Sequence, residues 1–225
     1  MLIIGIYGGT GSGKTTIVNQ IASNFDTSEI EIISQDSYYN DNSNISYDER
    51  CKLNFDHPDS IDSKLLHKHL SELKNGNFIK QPIYDFKTHN RTKKTIITNP
   101  KKILILDGIL IMCYSNIRSI CDLKVYINAN SETRMKRRIS RDILERGRTH
   151  NEVLSRYIKT IKPMHEKFIE PTKIYADYVI ENQGNNKINI GELLKKIKFL
   201  IEWKEELKFQ RNGWNHLKTF LFWLH

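Results

Sequence analysis

Residues 1–16 read MLIIGIYGGTGSGKTT, and the rest of the chain can be interpreted outward from this stretch. Four apolar residues within 2–6 have the length of a buried β-strand, and the pattern G-x-x-x-x-G-K-[ST] follows over 8–15. A helical pattern begins at Lys14. Glycines let backbone N–H groups surround a phosphate chain, and the helix N-terminus adds a partial positive charge. We therefore predict a phosphate-binding loop (P-loop), in which Lys14 reaches the β- and γ-phosphates and the Thr15 hydroxyl binds Mg²⁺.

This loop supplies most of the expected contacts to a nucleoside triphosphate. The residues expected to bind ATP there are Gly8, Gly9, Thr10, Gly11, Ser12, Gly13, Lys14, Thr15 and Thr16. The alternative is a glycine-rich turn that binds nothing. The strand before the pattern and the helix after it argue against that alternative.

Composition limits the class of protein. The chain has 225 residues, of which 39% are hydrophobic, and this suits one α/β domain with a proper core. Its 35 Lys and Arg residues against 26 Asp and Glu residues give a net charge of +9. Such an excess fits nucleic-acid binding or an enzyme with phosphorylated substrates. No basic run is long enough to form a nucleic-acid-binding tail, so we expect no nucleic-acid partner.

Cysteine spacing and hydropathy indicate the compartment. Cys51, Cys113 and Cys121 have no C-x-x-C spacing, and an odd number of free thiols fits a reducing cytoplasm. The N-terminal segment has no basic region or cleavage site, so we interpret it as a strand. No run of 18 apolar residues occurs. We expect a cytoplasmic chain without a membrane partner.

The remaining pattern alternates between strands and helices. Further strands are predicted over 30–33, 103–106, 123–127 and 178–180. Residues 82–98 are predicted to form a short strand, a loop and then a strand over 95–98. Helices are predicted over 14–24, 61–74, 131–145, 151–168 and 188–209, with a polar irregular stretch over 37–60 and a short helix from Pro171. The alternation indicates an α/β fold of the P-loop NTPase type, a mostly parallel sheet with helices on both faces. Ligands bind such sheets beyond the carboxyl ends of the strands.

Two aspartates follow predicted strands and are therefore expected near the loop. Asp107 ends the apolar strand 103–106 and can hold Mg²⁺ directly or through water. Asp36 ends the second strand, where a carboxylate can accept a proton from an attacking hydroxyl. The alternatives are a helix N-cap or turn residue for Asp107 and an Asx turn for Asp36.

Arginines concentrate in and after one predicted helix. They are Arg134, Arg137, Arg138, Arg141, Arg146 and Arg148. Spacings of three and four place Arg134, Arg138 and Arg141 on one helix face, and guanidinium groups suit phosphate oxygens. The break at Glu145-Arg-Gly-Arg148 indicates a mobile arginine-rich lid over the transferring phosphoryl group. A solvated basic face or an RNA-binding strip remains the alternative.

A regulatory GTPase is disfavoured. The guanine-reading pattern N-K-x-D is missing, because Asn186-Lys187 is followed by Ile188-Asn189. Asp107-Gly108 also lacks the D-x-x-G spacing of a switch segment.

Taken in order, these segments resemble the uridine kinase (uridine–cytidine kinase) family. The matching stretches are Gly8 to Thr16, Ser34 to Tyr39, Asn54 to Asp59, Pro82 to Phe86, His89, Asp107 to Leu110, Arg137-Arg138, Arg141-Asp142, Glu145 to Arg148 and Tyr175 to Asp177. They cover most of residues 1–200. The N-F-D-H-P and E-R-G-R segments are more specific than the P-loop.

The resemblance implies that ATP or GTP donates its γ-phosphoryl group to the 5′-hydroxyl of uridine or cytidine in pyrimidine salvage. Asp36 and Lys14 would be catalytic, with Asp36 as the base, and Thr15, Asp36 and Asp107 would surround Mg²⁺. The implied substrate contacts are Phe55, Asp56, Tyr84, Phe86, His89, Arg138, Arg148 and Arg156, and Arg141, Arg146 and Asn185 would serve the nucleotide. The resemblance also implies a homo-oligomer, commonly a tetramer, and feedback inhibition by UTP or CTP.

The sequence departs from the family pattern at three places. Asp107 stands where glutamate is usual, and Arg156 stands where glutamine is usual near the nucleoside. Glu181-Asn182 replaces Pro-Arg before the loop expected near the donor base. These departures leave the donor and the acceptor preference open.

The expected organisation is a kinase domain over 1–201, with a small β-rich nucleoside-binding excursion, and an extension over 202–225. The extension has apolar residues among lysines, and docking on this chain or a subunit, membrane contact and no function remain open for it. Alternative functions are a sister kinase for a sugar phosphate or pantothenate, a nucleotide-gated RNA-binding module, or an inactive P-loop protein. Arg156 favours the sister kinase, whereas Tyr84 and His89 argue against it.

Overall fold

The computed structural model describes residues 1–184 and 188–222, and within these ranges it leaves out the side chains of Arg146, Lys208 and 211–222. The chain divides into two compact units, a larger one over 3–188 and a C-terminal one that begins at Asn189. The domain boundary predicted between residues 201 and 202 differs from this division and stays a prediction.

The larger unit is built on a five-stranded sheet. Its strands are β1 (Leu2–Tyr7), β2 (Ile30–Ser34), β5 (Ile103–Asp107), β6 (Leu123–Asn128) and β7 (Tyr178–Glu181), and a separate hairpin holds β3 (Ile79–Asp85) and β4 (Asn90–Thr98). The order in the sheet is β2-β5-β1-β6-β7, and the pairings β2–β5, β1–β6 and β6–β7 are parallel. The predicted mostly parallel sheet is confirmed.

The central strands are apolar because both of their faces are covered. All six residues of β1 are buried, as are the first four of β5. Continuous apolar runs of this kind are typical of parallel strands inside an α/β fold. In the β2–β5 register Ser34 pairs with Asp107, so the residues that follow β2 start beside the end of β5.

Helices and helical turns fill the connections. The α-helices are α1 (Lys14–Ala22), α2 (Tyr47–Cys51), α3 (Ser63–Lys74), α4 (Ser115–Ile120), α5 (Ser131–Arg146), α6 (His150–Arg156), α7 (Lys162–Met164) and α8 (Gly191–Phe222). Short 3₁₀ turns span Gln35–Tyr38, Pro58–Ser60, Ile111–Cys113 and Glu170–Tyr175, and π-helical turns span Tyr157–Ile161 and His165–Ile169. The single helix predicted over 151–168 is therefore a run of α-helical and π-helical turns, which 3.6-residue periodicity cannot distinguish.

The predicted break near residues 146–150 is confirmed. Asn130 caps the start of α5 by accepting the Thr133 N–H at 2.8 Å, and Gly147 ends the helix with φ 63°. Thr149 and Glu152 then form a capping box that starts α6. The chain therefore turns at Gly147, between two arginine-bearing segments.

Two boundaries differ from the prediction. The loop expected before 95–98 is mostly strand, because β4 begins at Asn90 and pairs antiparallel with β3. Its polar run over 91–95 reads as a loop in sequence, whereas pairing with β3 holds it extended. The helix expected over 188–209 runs from Gly191 to Phe222, through the helix-breaking types Asn212 and Gly213. Among the described residues, none of the helices combines the length and apolar character needed to cross a bilayer.

Candidate active site

A cavity of about 870 Å³ lies in the larger unit at the carboxyl ends of β1, β2 and β5. It brings together most of the residues that the sequence singled out. Those that line it are Thr10, Gly11, Gly13, Lys14, Thr15, Asp36, Phe55, Asp56, Tyr84, Phe86, His89, Asp107, Arg138, Arg141, Arg148 and Arg156. Parallel strands end at one edge of a sheet, and this edge is where ligands bind in such folds.

The phosphate-binding loop forms one end of the cavity. Gly11 has φ 74°, and a Cβ atom there would collide with the carbonyl oxygen of Arg134. Lys14 donates from Nζ to the carbonyl oxygens of Gly8 and Gly9, each at 3.1 Å. Burial lowers the pKa of Lys14, while the charges of Asp107 and Asp36 oppose that change. The ammonium group is therefore held against the loop, beside two carboxylates.

The two carboxylates fit a magnesium ion. Burial raises the pKa of Asp107, while the charge of Lys14 lowers it, and Oδ1 of Asp107 is buried without a hydrogen-bond partner among the described residues. Asp36 lies in the turn after β2, where its N–H donates to Ser34 Oγ at 3.2 Å. Two carboxylates and the hydroxyl of Thr15 are oxygen ligands of the kind that Mg²⁺ takes alongside substrate phosphates. The predicted donor set is thus gathered in one place, and its role stays a prediction.

The arginines of α5 whose side chains are described do not form a solvated face. Arg134 and Arg138 are buried, and Arg138 donates from Nη1 to Thr10 Oγ1 at 2.7 Å. Arg134 does not line the cavity; it lies behind the loop and donates from Nε to the Ala129 carbonyl at 3.1 Å. Arg134 and Arg138 are both buried, as residues on one helix face can be, but the Arg134 side chain packs against Gly9 and its backbone lies against Gly11.

Arg137 lies against the phosphate-binding loop and faces the cavity. It lines the cavity and donates from Nη1 to the carbonyls of Gly11 at 3.4 Å and Ser12 at 3.3 Å. Asn182 joins them, since it accepts from Arg137 Nη2 at 3.0 Å and donates to the Ser12 carbonyl at 2.7 Å. Asn182, one of the two residues at which the sequence departs from the family pattern, therefore lies beside the phosphate-binding loop.

Aromatic side chains form the opposite end of the cavity. Phe55 stacks on His89 with ring centroids 5.2 Å apart and planes 18° apart. Tyr84 packs against Phe86 at 5.3 Å, and its Oη is buried without a hydrogen-bond partner among the described residues. His89 has φ 52° in the turn of the hairpin, a conformation that is uncommon outside glycine. Flat apolar surfaces beside a hydroxyl group without a hydrogen-bond partner among the described residues suit the binding of a heterocyclic base.

Charged groups lie between the two ends. Asp56 is buried, which raises its pKa, while the charges of Arg138 and Arg156 oppose that change. Burial also lowers the pKa of His89, and the charges of Arg156 and Arg148 lower it further. The carboxylate can accept hydrogen bonds from vicinal hydroxyls, and the flanking guanidinium groups can donate to the same hydroxyls.

Some predicted residues lie elsewhere, and some lining residues were missed. Gly8, Gly9, Ser12 and Thr16 belong to the loop segment but do not line the cavity. Asn185 and the side chain of Arg146 lie outside what the structure describes. Lining residues without a predicted role are Ser34, Tyr39, Tyr47, Lys87, Gly108, Ile109, Arg137 and Glu145. Tyr39 follows the predicted Asp36 by three residues, and this proximity was the available signal for it.

A phosphate-binding loop after the first strand of a parallel sheet defines the class: the chain is an α/β protein with the P-loop NTPase-type fold. The sequence model of the phosphoribulokinase/uridine kinase family matches residues 3–189. The chain belongs to that family.

Curated relatives named uridine kinase are similar over most of their length. The one from Clostridium botulinum strain Langeland is 46% identical over 201 residues, which are 89% of this chain and 98% of the relative. The one from Clostridium novyi is 47% identical over 200 residues, 89% and 96% of the two chains. The one from Halalkalibacterium halodurans is 44% identical over 206 residues, 92% and 98% of the two chains.

Solved structures share the fold at low sequence identity. Phosphoribulokinase from Rhodobacter spheroides has a TM-score of 0.60 at 16% identity, over 80% of this chain and 69% of that chain. D-glycerate 3-kinase from Cryptococcus neoformans has a TM-score of 0.57 at 18% identity, over 80% and 86% of the two chains. At these identities the likeness concerns the fold alone.

Proposed function

We propose that this chain is a uridine kinase, which transfers the γ-phosphoryl group of ATP or GTP to the 5′-hydroxyl of uridine or cytidine. The observation that carries the proposal is one cavity in which the phosphate loop and Asp36 face an aromatic wall. The names of the curated relatives support the same acceptor. The proposal includes a pyrimidine-salvage role in the cytoplasm and a homo-oligomeric, tetrameric state. It also includes a kinase domain over 1–201, followed by an extension over 202–225 to which no role is assigned.

In this proposal the chain's residues position the phosphates and remove one proton. Lys14 and the N–H groups of the loop hold the β- and γ-phosphates. Thr15, Asp36 and Asp107 would hold Mg²⁺, which would supply positive charge to those phosphates. Asp36 accepts the proton of the attacking 5′-hydroxyl, which adds roughly 10²–10⁴-fold in rate. The hydrogen bond between its N–H and Ser34 fixes the turn that carries this carboxylate.

The acceptor is recognised at the other end of the cavity. Asp56 accepts a hydrogen bond from one ribose hydroxyl, and Arg138 donates a hydrogen bond to the other. A 2′-deoxy nucleoside therefore leaves buried groups unpaired. The base packs against the aromatic wall that includes Phe55 and Tyr84, and the Tyr84 hydroxyl gains the partner that it lacks among the described residues. His89, stacked on Phe55, reaches the base edge as a neutral ring, consistent with the lowering of its pKa.

A panel of acceptors and donors tests this function. Formation of ADP from ATP, or of GDP from GTP, is measured with uridine, cytidine, adenosine and pantothenate as acceptors at equal concentration. We expect the rate of nucleoside diphosphate formation with uridine or cytidine to exceed the rates with adenosine and pantothenate by at least about 10²-fold, since those two lack matching contacts. Equal acceleration by adenosine, or acceleration by pantothenate alone, would overturn the proposal.

One observation favours a second candidate, a sister kinase for an acidic alcohol. Arg156 lines the acceptor end of the cavity, and its charge acts on both Asp56 and His89. An added guanidinium there suits an acceptor that carries a carboxylate or a phosphate. Pantothenate in the panel detects such an acceptor, and a sugar phosphate is added as a second acidic acceptor.

A further inference from the structure

Asp142 is a buried carboxylate for which the proposed chemistry has no use. It lies in α5, its side chain is 1% exposed, and it does not line the cavity. It nevertheless contacts three arginines that do line the cavity. Arg138 Nε and Arg148 Nη1 donate to Oδ2 at 2.9 and 3.2 Å, and Arg141 donates from Nε and Nη2 to Oδ1, each at 3.2 Å.

The backbone of Asp142 holds the same structure from a second side. Its carbonyl oxygen accepts the N–H of Gly147, which ends α5, and the N–H of Arg148 at 3.2 Å. Arg138 and Arg141 belong to the helix, whereas Arg148 comes after the turn. One residue therefore fixes the turn by its carbonyl and joins arginines from both sides of the turn by its carboxylate.

Charge explains why a carboxylate is needed at this position. Three guanidinium groups that face one cavity repel one another, and the repulsion is weakly screened where water is excluded. A single buried carboxylate with bonds from all three offsets that repulsion and defines their orientation. The arrangement continues into the phosphate loop, because Arg138 also donates to Thr10 Oγ1 at 2.7 Å.

We propose that Asp142 is a positioning residue for phosphoryl transfer. It holds Arg138, Arg141 and Arg148 in one wall whose remaining N–H groups are directed to the phosphates and the acceptor. Donors fixed in advance stabilise charge in the transition state more than mobile donors do, because no reorganisation is needed at the moment of reaction. This inference rests on the proposed function, which it deepens.

The test compares Asp142→Asn and Asp142→Glu with a matched control on the same helix, Glu132→Gln. Glu132 forms an exposed ion pair with Lys136 at 2.6 Å, so its loss is expected to leave kcat unchanged. We expect kcat to fall by about 10²-fold in Asp142→Asn, which is the scale of losing preorganised transition-state donors. In Asp142→Glu the charge is kept but displaced by one methylene group, and we expect a loss of roughly tenfold.

A second readout separates positioning from a merely structural role. Asp142→Asn adds one net positive charge to the wall, so sulfate, measured by calorimetry without nucleoside, should bind roughly threefold tighter by screened Coulomb attraction. A merely structural role would weaken sulfate binding and turnover together. Slower turnover with tighter sulfate binding is the expected signature, and unchanged or weaker sulfate binding would overturn the proposal.

Folding is monitored by thermal unfolding of each variant. Should Asp142→Asn fail to fold, Asp142→Glu decides: kcat within twofold of the wild type would refute the positioning role. The wild-type rate with uridine tests the proposed function separately. If the wild type is inactive with every nucleoside, that function fails, while sulfate binding by the variants still tests the electrostatic role of Asp142.

Discussion

At the scale of single residues, the side chains that follow strands were predictable and those on helices were less so. Asp36 and Asp107 could be inferred because parallel strands end at one edge, and the Ser34–Asp107 register puts both at that edge. Helical spacing grouped Arg134 with Arg138 and Arg141, but spacing does not tell which of the arginines reaches the cavity, and Arg137 lines it whereas Arg134 does not. Only the packing of Gly9 and Gly11 against Arg134 determines that choice.

Tyr84 gives a prediction in which binding and stability change differently. Its Oη is buried without a partner among the described residues, and burial raises the pKa of the phenol to about 12, so it is a hydrogen-bond donor at neutral pH. In Tyr84→Phe we expect KM for uridine to rise roughly fivefold, the equivalent of one hydrogen bond of about 1 kcal/mol, with kcat little changed. The melting temperature should stay equal or rise, because an unsatisfied buried hydroxyl is removed.

The control for Tyr84 is Tyr178→Phe, since Tyr178 lies in β7 and does not line the cavity. Steady-state kinetics with uridine and thermal unfolding are measured on both variants. A lower melting temperature with unchanged KM in Tyr84→Phe would mean that the hydroxyl stabilises the fold and does not bind the acceptor.

At the scale of elements, the strongest local signals determined what could be predicted. The strand–loop–helix over residues 2–22 and the break at Gly147 were evident, because glycine motifs and caps are local. The strand β4 was not, because its polar run is extended only through pairing with β3. The π-helical turns within 157–169 could not be predicted either. They change the number of residues per turn inside a segment whose sequence pattern indicates one continuous helix.

The turn at Gly147 gives a prediction about an element. Its φ of 63° is left-handed, and nothing lies within 4 Å of an added Cβ, so Gly147→Ala is strained through the backbone alone. We expect a loss of about 1 kcal/mol in the free energy of unfolding. We also expect a lower kcat, because this turn carries Arg148 into the wall that Asp142 organises.

Gly76 is the matched control for this turn. It has φ 89°, an added Cβ there would also meet nothing within 4 Å, and it lies outside the cavity lining. Chemical denaturation and steady-state kinetics of Gly76→Ala should show a similar loss of stability with full activity. Equal kcat in the two variants would contradict a role of the Gly147 turn in phosphoryl transfer.

At the scale of the whole molecule, the net charge, the fold and the cavity are consistent with one another. The net charge of +9 is compatible with a nucleic-acid partner, yet arginines of α5 are buried or bonded around the cavity. Composition alone could not make this distinction, because it does not tell which side of a helix is covered. The described residues that line the cavity lie between Thr10 and Arg156, within the part of the chain that the family model matches.

The central claim is that Asp36 removes the proton of a nucleoside hydroxyl beside a bound triphosphate. Its most direct test is UMP formation from ATP, Mg²⁺ and uridine by wild type, Asp36→Asn and the control Asp26→Asn, with ATP affinity measured in parallel. Asp26 is exposed after α1 and bonded only within its own turn in the contacts described, to Ser28 and Glu29. We predict that Asp36→Asn lowers kcat by at least about 10²-fold while binding ATP within a few-fold of wild type, and that Asp26→Asn matches wild type. Wild-type turnover in Asp36→Asn would contradict the account.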